Sequence, residues 1–199
     1  MPSMIELIGF MTSIAGVFLT IRRSPYCWPI GALSVLVYAY VFMQAKLYAD
    51  AGLQGIFFLF CIYGWFMWTT SSTDANRISS PVQVSSMIKQ EALLGIIGVL
   101  PCTFILGMFL NNSTDADIPY IDSFLAVVSI YAQFLQTRKR IQHWYMWILV
   151  DTLYIGLYIY KNLLLTAILY AIFLLMAIQG IIEWKKVLRT PTEYFPQKS

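Results

Sequence analysis

Residues 21–40 read IRRSPYCWPIGALSVLVYAY and residues 137–156 read TRKRIQHWYMWILVDTLYIG. Set one above the other, they share Arg22/Arg138, Trp28/Trp144 and Tyr38/Tyr154, and the register extends in both directions. A single shift of 116 residues lays 5–68 on 121–184 without a gap, with 18 of 64 positions identical. The pairs Ser13/Ser129, Phe18/Phe134, Leu53/Leu169, Gly64/Gly180 and Trp68/Trp184 are landmarks in that register, and Glu6/Asp122 matches in charge. Self-similarity at a fixed period marks a duplicated structural unit.

Composition says what kind of unit it is. Hydrophobic residues make up 59% of 199 positions, charged residues 12%, and the mean hydropathy is +0.68. Soluble domains are roughly 45–50% apolar and a quarter charged, so this chain could not cover a water-facing surface. Seven apolar runs (4–21, 27–45, 50–70, 91–110, 119–136, 143–160 and 163–184) each approach the roughly 20 residues that a helical span requires. Together they are expected to leave no room for a soluble domain. The start, Met1-Pro2-Ser3-Met4-Ile5-Glu6, has no basic residue and carries an acid, which argues against a cleaved leader. The runs lack the alternation of a β-barrel strand. The expected fold is therefore an all-α integral membrane protein, residues 1–199 as one transmembrane domain. Two three-helix repeats, 5–68 and 121–184, are joined by a linker helix, 91–110, in a 3+1+3 order. An odd number of spans per repeat makes the copies parallel, an arrangement that puts a substrate site near the midplane where repeats meet.

Eleven of the thirteen basic residues fall on one side: Arg22, Arg23, Arg77, Lys89, Arg138, Lys139, Arg140, Lys185, Lys186, Arg189 and Lys198. Lys46 and Lys161 lie on the other. The positive-inside rule predicts an amino terminus outside and a carboxyl terminus in the cytoplasm. The outer side carries Glu6, Asp50, Asp115, Asp117 and Asp122, which would favour cations in the vestibule.

The copies differ where one has been specialised. Under the shift, Gly31 becomes Trp147 and Val35 becomes Asp151. Trp144, Trp147 and Asp151 are spaced i, i+3, i+7 and share a helix face. Asp151 lies about 12 Å from the basic end, near the bilayer centre, where an ionised carboxylate costs at least ~2.5 kcal/mol unless paired or hydrated. Two indoles and a carboxylate on one face suit a flat cationic ring, through stacking, cation–π attraction and charge. Tyr38 and Tyr154 are the neighbours expected to satisfy the acid. Gln54 and Tyr63 on the third span are further candidate ligands, though they could equally tie helices together.

Trp28-Pro29, Leu47-Tyr48-Ala49-Asp50, Leu53-Gln54, Tyr63-Gly64-Trp65 and Trp68, followed by Arg138-Lys139 and Trp144-x-x-Trp147, resemble the PnuC family of bacterial vitamin transporters over essentially the whole chain. The resemblance implies the SWEET-like 3+1+3 fold in the inner membrane. It also implies facilitated diffusion of a water-soluble vitamin, with a cytoplasmic kinase trapping the product. Nicotinamide riboside carriers of that family usually show Trp-x-x-Trp-x-x-x-Asn and an Asn before the Ile-Tyr-Gly-Trp stretch; Asp151 and Cys61 stand there in this sequence. Those departures put thiamine first as the expected substrate and nicotinamide riboside second.

Other signals are weaker. Cys27, Cys61 and Cys102 lie on separate spans without ligand spacing and read as buried thiols, so neither a metal nor another cofactor is expected. His143 reads as a solvated loop residue, Glu183 as a surface acid and 71–90 as a cytoplasmic linker. Nothing indicates nucleic-acid binding, and a homo-oligomer is left open. An intramembrane enzyme would need a nucleophile–base set that one histidine and one deep carboxylate do not supply. A channel would not crowd its axis with aromatics, and a proton-coupled carrier would use Asp151 without a second deep acid.

Overall fold

The computed structural model describes residues 4–44, 48–70, 83–114, 118–160 and 164–189. They form seven helices: α1 (Met4–Ile21), α2 (Cys27–Gln44), α3 (Tyr48–Thr69), α4 (Lys89–Ser113), α5 (Pro119–Thr137), α6 (His143–Tyr160) and α7 (Leu164–Arg189). At 1.5 Å per residue, helices of 18 to 26 residues run about 27–39 Å, the depth of a bilayer's hydrocarbon. Ala51–Thr69, Lys89–Ser113 and Ala167–Arg189 are long and apolar enough to cross by themselves; Leu7–Ile21 and Cys27–Val41 are shorter apolar stretches. The chain is a multi-pass, all-α membrane protein.

Six helices close a ring in the order α1, α2, α3, α5, α6, α7, each packed on the next and α7 returning to α1. Helix α4 stands outside and packs on α5. Large apolar side chains cover the outer faces, among them Leu33, Leu36, Leu59, Phe66, Leu149 and Leu175. So continuous an apolar surface is stable only against lipid.

The duplication read from the sequence recurs in the packing at the basic end. Trp28, Trp68, Trp144 and Trp184 are all at least 96% buried and gather at the basic end. Trp28 meets Trp68 edge-on at 5.3 Å, and Trp144 meets Trp184 edge-on at 5.7 Å, each pair at 88°. The Trp68 indole N–H donates to the carbonyls of Gln136 and Thr137; that of Trp184 donates to Thr20 and Ile21, the same positions in the other repeat. On the axis between them Gln136 Nε2 donates to Thr20 Oγ1 at 3.4 Å.

Two glycines are required by this packing. A Cβ on Gly64 would lie 2.4 Å from the Trp28 ring, and one on Gly180 2.5 Å from the Trp144 ring. The helix ends match as well. Ser24 N–H reaches Leu19 O and Arg23 N–H reaches Thr20 O, while Arg140 reaches Leu135 and Lys139 reaches Gln136, all at 2.9 Å. These are Schellman closures, and each needs a left-handed residue: Arg23 (φ 57°) and Lys139 (φ 61°). Burial pulls both side chains below their ordinary pKa values, partly offset at Arg23 by Glu183. Arg22 lies over Phe18 at 5.3 Å and Arg138 over Phe134 at 5.5 Å.

Helix α4 breaks the symmetry. Its Gly95 and Gly107 receive the rings of Tyr131 and Tyr120 from α5, at distances a Cβ would not allow. Small residues let helices approach in lipid, where apolar burial alone gives no preference for a protein neighbour. At the basic end, Arg140 forks onto Glu91, with Nε 2.8 Å from Oε2 and Nη2 3.0 Å from Oε1, and its Nη1 donates to Ser85 Oγ at 2.7 Å. A parallel bridge joins Ser85 to Arg140, and Met87 N–H donates to Gln142 Oε1 at 2.8 Å. Tyr131 O–H donates to the Glu91 carbonyl at 2.8 Å. Residues 83–91 are thus strapped to the turn between α5 and α6; residues 71–82 of the expected linker lie outside the described residues.

Candidate functional site

Helical periodicity assigns each residue a face. On α6, Tyr145, Leu149, Leu153 and Ile159 are exposed, and His143, Trp144, Val150 and Asp151 are buried. Trp147, Asp151 and Tyr154 fall on the inward stripe at i, i+4, i+7. On α3, the half-buried Gln54 shares its inward stripe with Cys61, Trp65 and Trp68. Tyr63 lies on the opposite stripe with Leu59, Ile62 and Phe66, 40% exposed, facing the membrane.

Trp144 belongs to the tryptophan core at the basic end, where it mirrors Trp28. The indole N–H groups of both are buried without a hydrogen-bond acceptor among the described residues. Trp147 lies one turn further in and is half-buried, touching both this core and a second one built on Leu125, Val128 and Val150.

Asp151 is 4% exposed on the inward stripe of α6. An acid so placed at mid-membrane needs a partner, because desolvation of the ionised form is otherwise uncompensated. Tyr154 is next along the stripe, and its ring lies 4.7 Å from that of Tyr170 on α7. Tyr38, the counterpart of Tyr154, leans on α1, where a Cβ on Gly9 would come within 3.2 Å of its ring. The structure therefore brings Trp147, Asp151 and Tyr154 together on one wall of the ring, with Tyr38 and Gln54 on the inward stripes of the other repeat. Trp144 and Tyr63 lie elsewhere.

Two features departed from the sequence reading. His143 is not a solvated loop residue: it opens α6 fully buried, between Trp144 at 4.4 Å and Trp184 at 4.7 Å. Its Nδ1 lies 2.6 Å from Arg140 O, so Nδ1 carries the proton and Nε2 is left buried without a partner among the described residues. A charge count treats histidine as polar, whereas the aromatic pair here supplies a slot for a neutral ring. Cys102 is exposed on α4, while Cys27 and Cys61 are buried as expected. The pairing of Glu183 with Lys186 at 2.8 Å agrees with a surface acid.

Tyr170 was not singled out by spacing or type. It sits inward on α7, its ring 4.7 Å from that of Tyr154 and 5.1 Å from that of Tyr158. The signal that could have found it is the duplication, since Tyr170 occupies the position of Gln54. Among the described residues no group of three or more His, Cys, Asp or Glu side chains is placed to hold a metal ion.

Comparison with known proteins bears on what such a ring holds. The family described as nicotinamide mononucleotide transporter matches residues 3–186. The riboflavin/roseoflavin transporter RibM of Streptomyces davaonensis is 24% identical over 181 residues, spanning 90% of this chain and 83% of RibM. The nicotinamide riboside transporter PnuC of Escherichia coli is 24% identical over 204 aligned positions, 92% of this chain and 85% of the relative. The crystal structure of the vitamin B3 transporter PnuC matches with a TM-score of 0.74 and 25% identity, over 92% of this chain and 80% of that one.

Proposed function

Because the chain belongs to the nicotinamide mononucleotide transporter (PnuC) family of membrane vitamin transporters, we propose that it carries nicotinamide riboside across the inner membrane. The observation that carries this reading is Asp151: a buried carboxylate on the inward wall between Trp147 and Tyr154. A pyridinium ring suits this wall: it is a flat delocalised cation that can stack on an indole and neutralise the acid. Thiamine, which the sequence puts first, gives way to nicotinamide riboside. The relatives are named for nicotinamide riboside and riboflavin, and Asp151 suits the pyridinium cation as well as it suits a thiazolium. Cys61, the other departure, packs in the tryptophan core at 4% exposure, against Gly31.

The mechanism follows from the ring. The tryptophan core closes the end where Arg22, Arg23 and Arg138 to Arg140 gather; the positive-inside rule makes that the cytoplasmic end and places the amino terminus outside. Passage requires the hydrogen bonds across the axis, Trp68 to Gln136 and Thr137 and Trp184 to Thr20 and Ile21, to part while the opposite end closes. Nothing in this cycle consumes an ion gradient, so net uptake follows the substrate gradient, maintained by phosphorylation in the cytoplasm.

Titration calorimetry of the purified protein with nicotinamide riboside, riboflavin and thiamine tests the substrate. Nicotinamide riboside is expected to bind most tightly, and Asp151→Asn to weaken it about 10- to 100-fold with little change in melting temperature. Tighter binding of riboflavin or thiamine, or unchanged affinity in Asp151→Asn, would refute the assignment.

A further inference from the structure

The inward wall of the second repeat is a ladder. Trp147, Asp151, Tyr154 and Tyr158 follow at i, i+4, i+7 and i+11 along α6, rising about 16 Å from the basic end outward. At the outer rungs Tyr154 and Tyr158 stack at 5.6 Å and 14°. Tyr170 on α7 closes on both, 4.7 Å from Tyr154 and 5.1 Å from Tyr158, with Phe173 behind it at 5.8 Å. Tyr158 and Tyr170, from two different helices, thus bring two phenols together at this level. A phenol O–H donates and its oxygen accepts, so two adjoining phenols can serve a hydroxylated group from both sides. The first repeat holds Phe42 and Gln54 at these positions, so the paired phenols belong to one wall only.

The ladder has two chemistries in sequence: an indole and a carboxylate inward, two phenols outward. A ligand made of a flat cation and a hydroxylated arm matches it in one orientation. We propose that Tyr170, beside Tyr158, is a specificity-determining residue that reads the hydroxylated arm of the substrate, while Trp147 and Asp151 hold its ring. This rests on the substrate class proposed above and adds an orientation: ring toward the basic end, sugar toward the opposite face.

The test uses two probes with the same pyridinium, nicotinamide riboside and N1-methylnicotinamide, in which a methyl group replaces the ribose. Dissociation constants are measured for the purified full chain and its variants, the weaker ligand by displacement. Tyr170→Phe keeps the ring and removes the hydroxyl; it should weaken the riboside about 10-fold and leave the methyl compound unchanged. Asp151→Asn should weaken both alike. Tyr170→Gln, which restores a hydrogen-bonding group, should recover part of the riboside affinity. A merely structural Tyr170 would shift both ligands equally together with the melting temperature. Equal losses for the two ligands, or no loss for either, would overturn the assignment. Wild-type protein that binds neither probe would instead overturn the substrate class itself.

Discussion

The turn between α1 and α2 and the turn between α5 and α6 are built from equivalent residues, yet among the described residues only the second is tied to α4 and the segment that precedes it. Both carry a left-handed basic residue, an arginine over a phenylalanine and a buried tryptophan. The second adds Arg140, Gln142 and the strap of residues 83–91 with Glu91. The first has Ser24 and Tyr26 at those two positions. What is shared serves the fold, because both copies must close around the same tryptophan core. What is not shared joins the second repeat and α4 into one unit, against which the first repeat can move.

The largest expected effect tests that difference. Glu91→Ala leaves the Arg140 guanidinium, whose side chain is 17% exposed, without its carboxylate. Breaking a buried pair from one side typically costs 3–5 kcal/mol; with Arg140 partly wet, about 3 kcal/mol is expected, read as a drop in melting temperature in detergent. Ser24→Ala, at the position of Arg140 in the other repeat, should stay within about 0.5 kcal/mol of the parent. Similar costs at the two sites would remove the asymmetry.

A middling effect tests the equivalence instead. Gly64→Ala and Gly180→Ala each force a methyl into an indole ring, and overpacking of this kind costs about 1–3 kcal/mol. Because the two approaches differ by only 0.1 Å, the two losses should agree to within about 1 kcal/mol. A silent substitution at one glycine would mean that its tryptophan repacks freely.

The smallest effect concerns the axis. Trp68→Phe and Trp184→Phe each remove an indole N–H shared between two carbonyls of the opposite repeat. A loss of about 1 kcal/mol apiece is expected in thermal unfolding. Since the two rings lie 6.3 Å apart, the double variant should depart measurably from the sum. Strict additivity would show that the two repeats do not share the core.

Helix number, helix type and the duplication could be read without coordinates, because apolar runs of span length and a gapless 116-residue register are one-dimensional properties. The deep carboxylate was legible for the same reason: charge in an apolar run is expensive wherever the run folds. The inward placement of Trp147 and Tyr154 followed from helical spacing. Which of several inward aromatics meet was not legible, since that depends on which helix stands beside which. Trp144 and Trp147 share a face of α6, yet Trp144 is buried within the basic-end core while Trp147 reaches from it to the wall above. His143 and Tyr170 acquire their roles from neighbours on other helices, Trp184 and Tyr158. The attachment of α4 to the second repeat rests on Gly95, Gly107 and Glu91 meeting Tyr131, Tyr120 and Arg140. Lipid accepts any apolar helix face equally, so hydropathy places α4 in the membrane, and only close packing and paired polar groups decide which neighbour it takes.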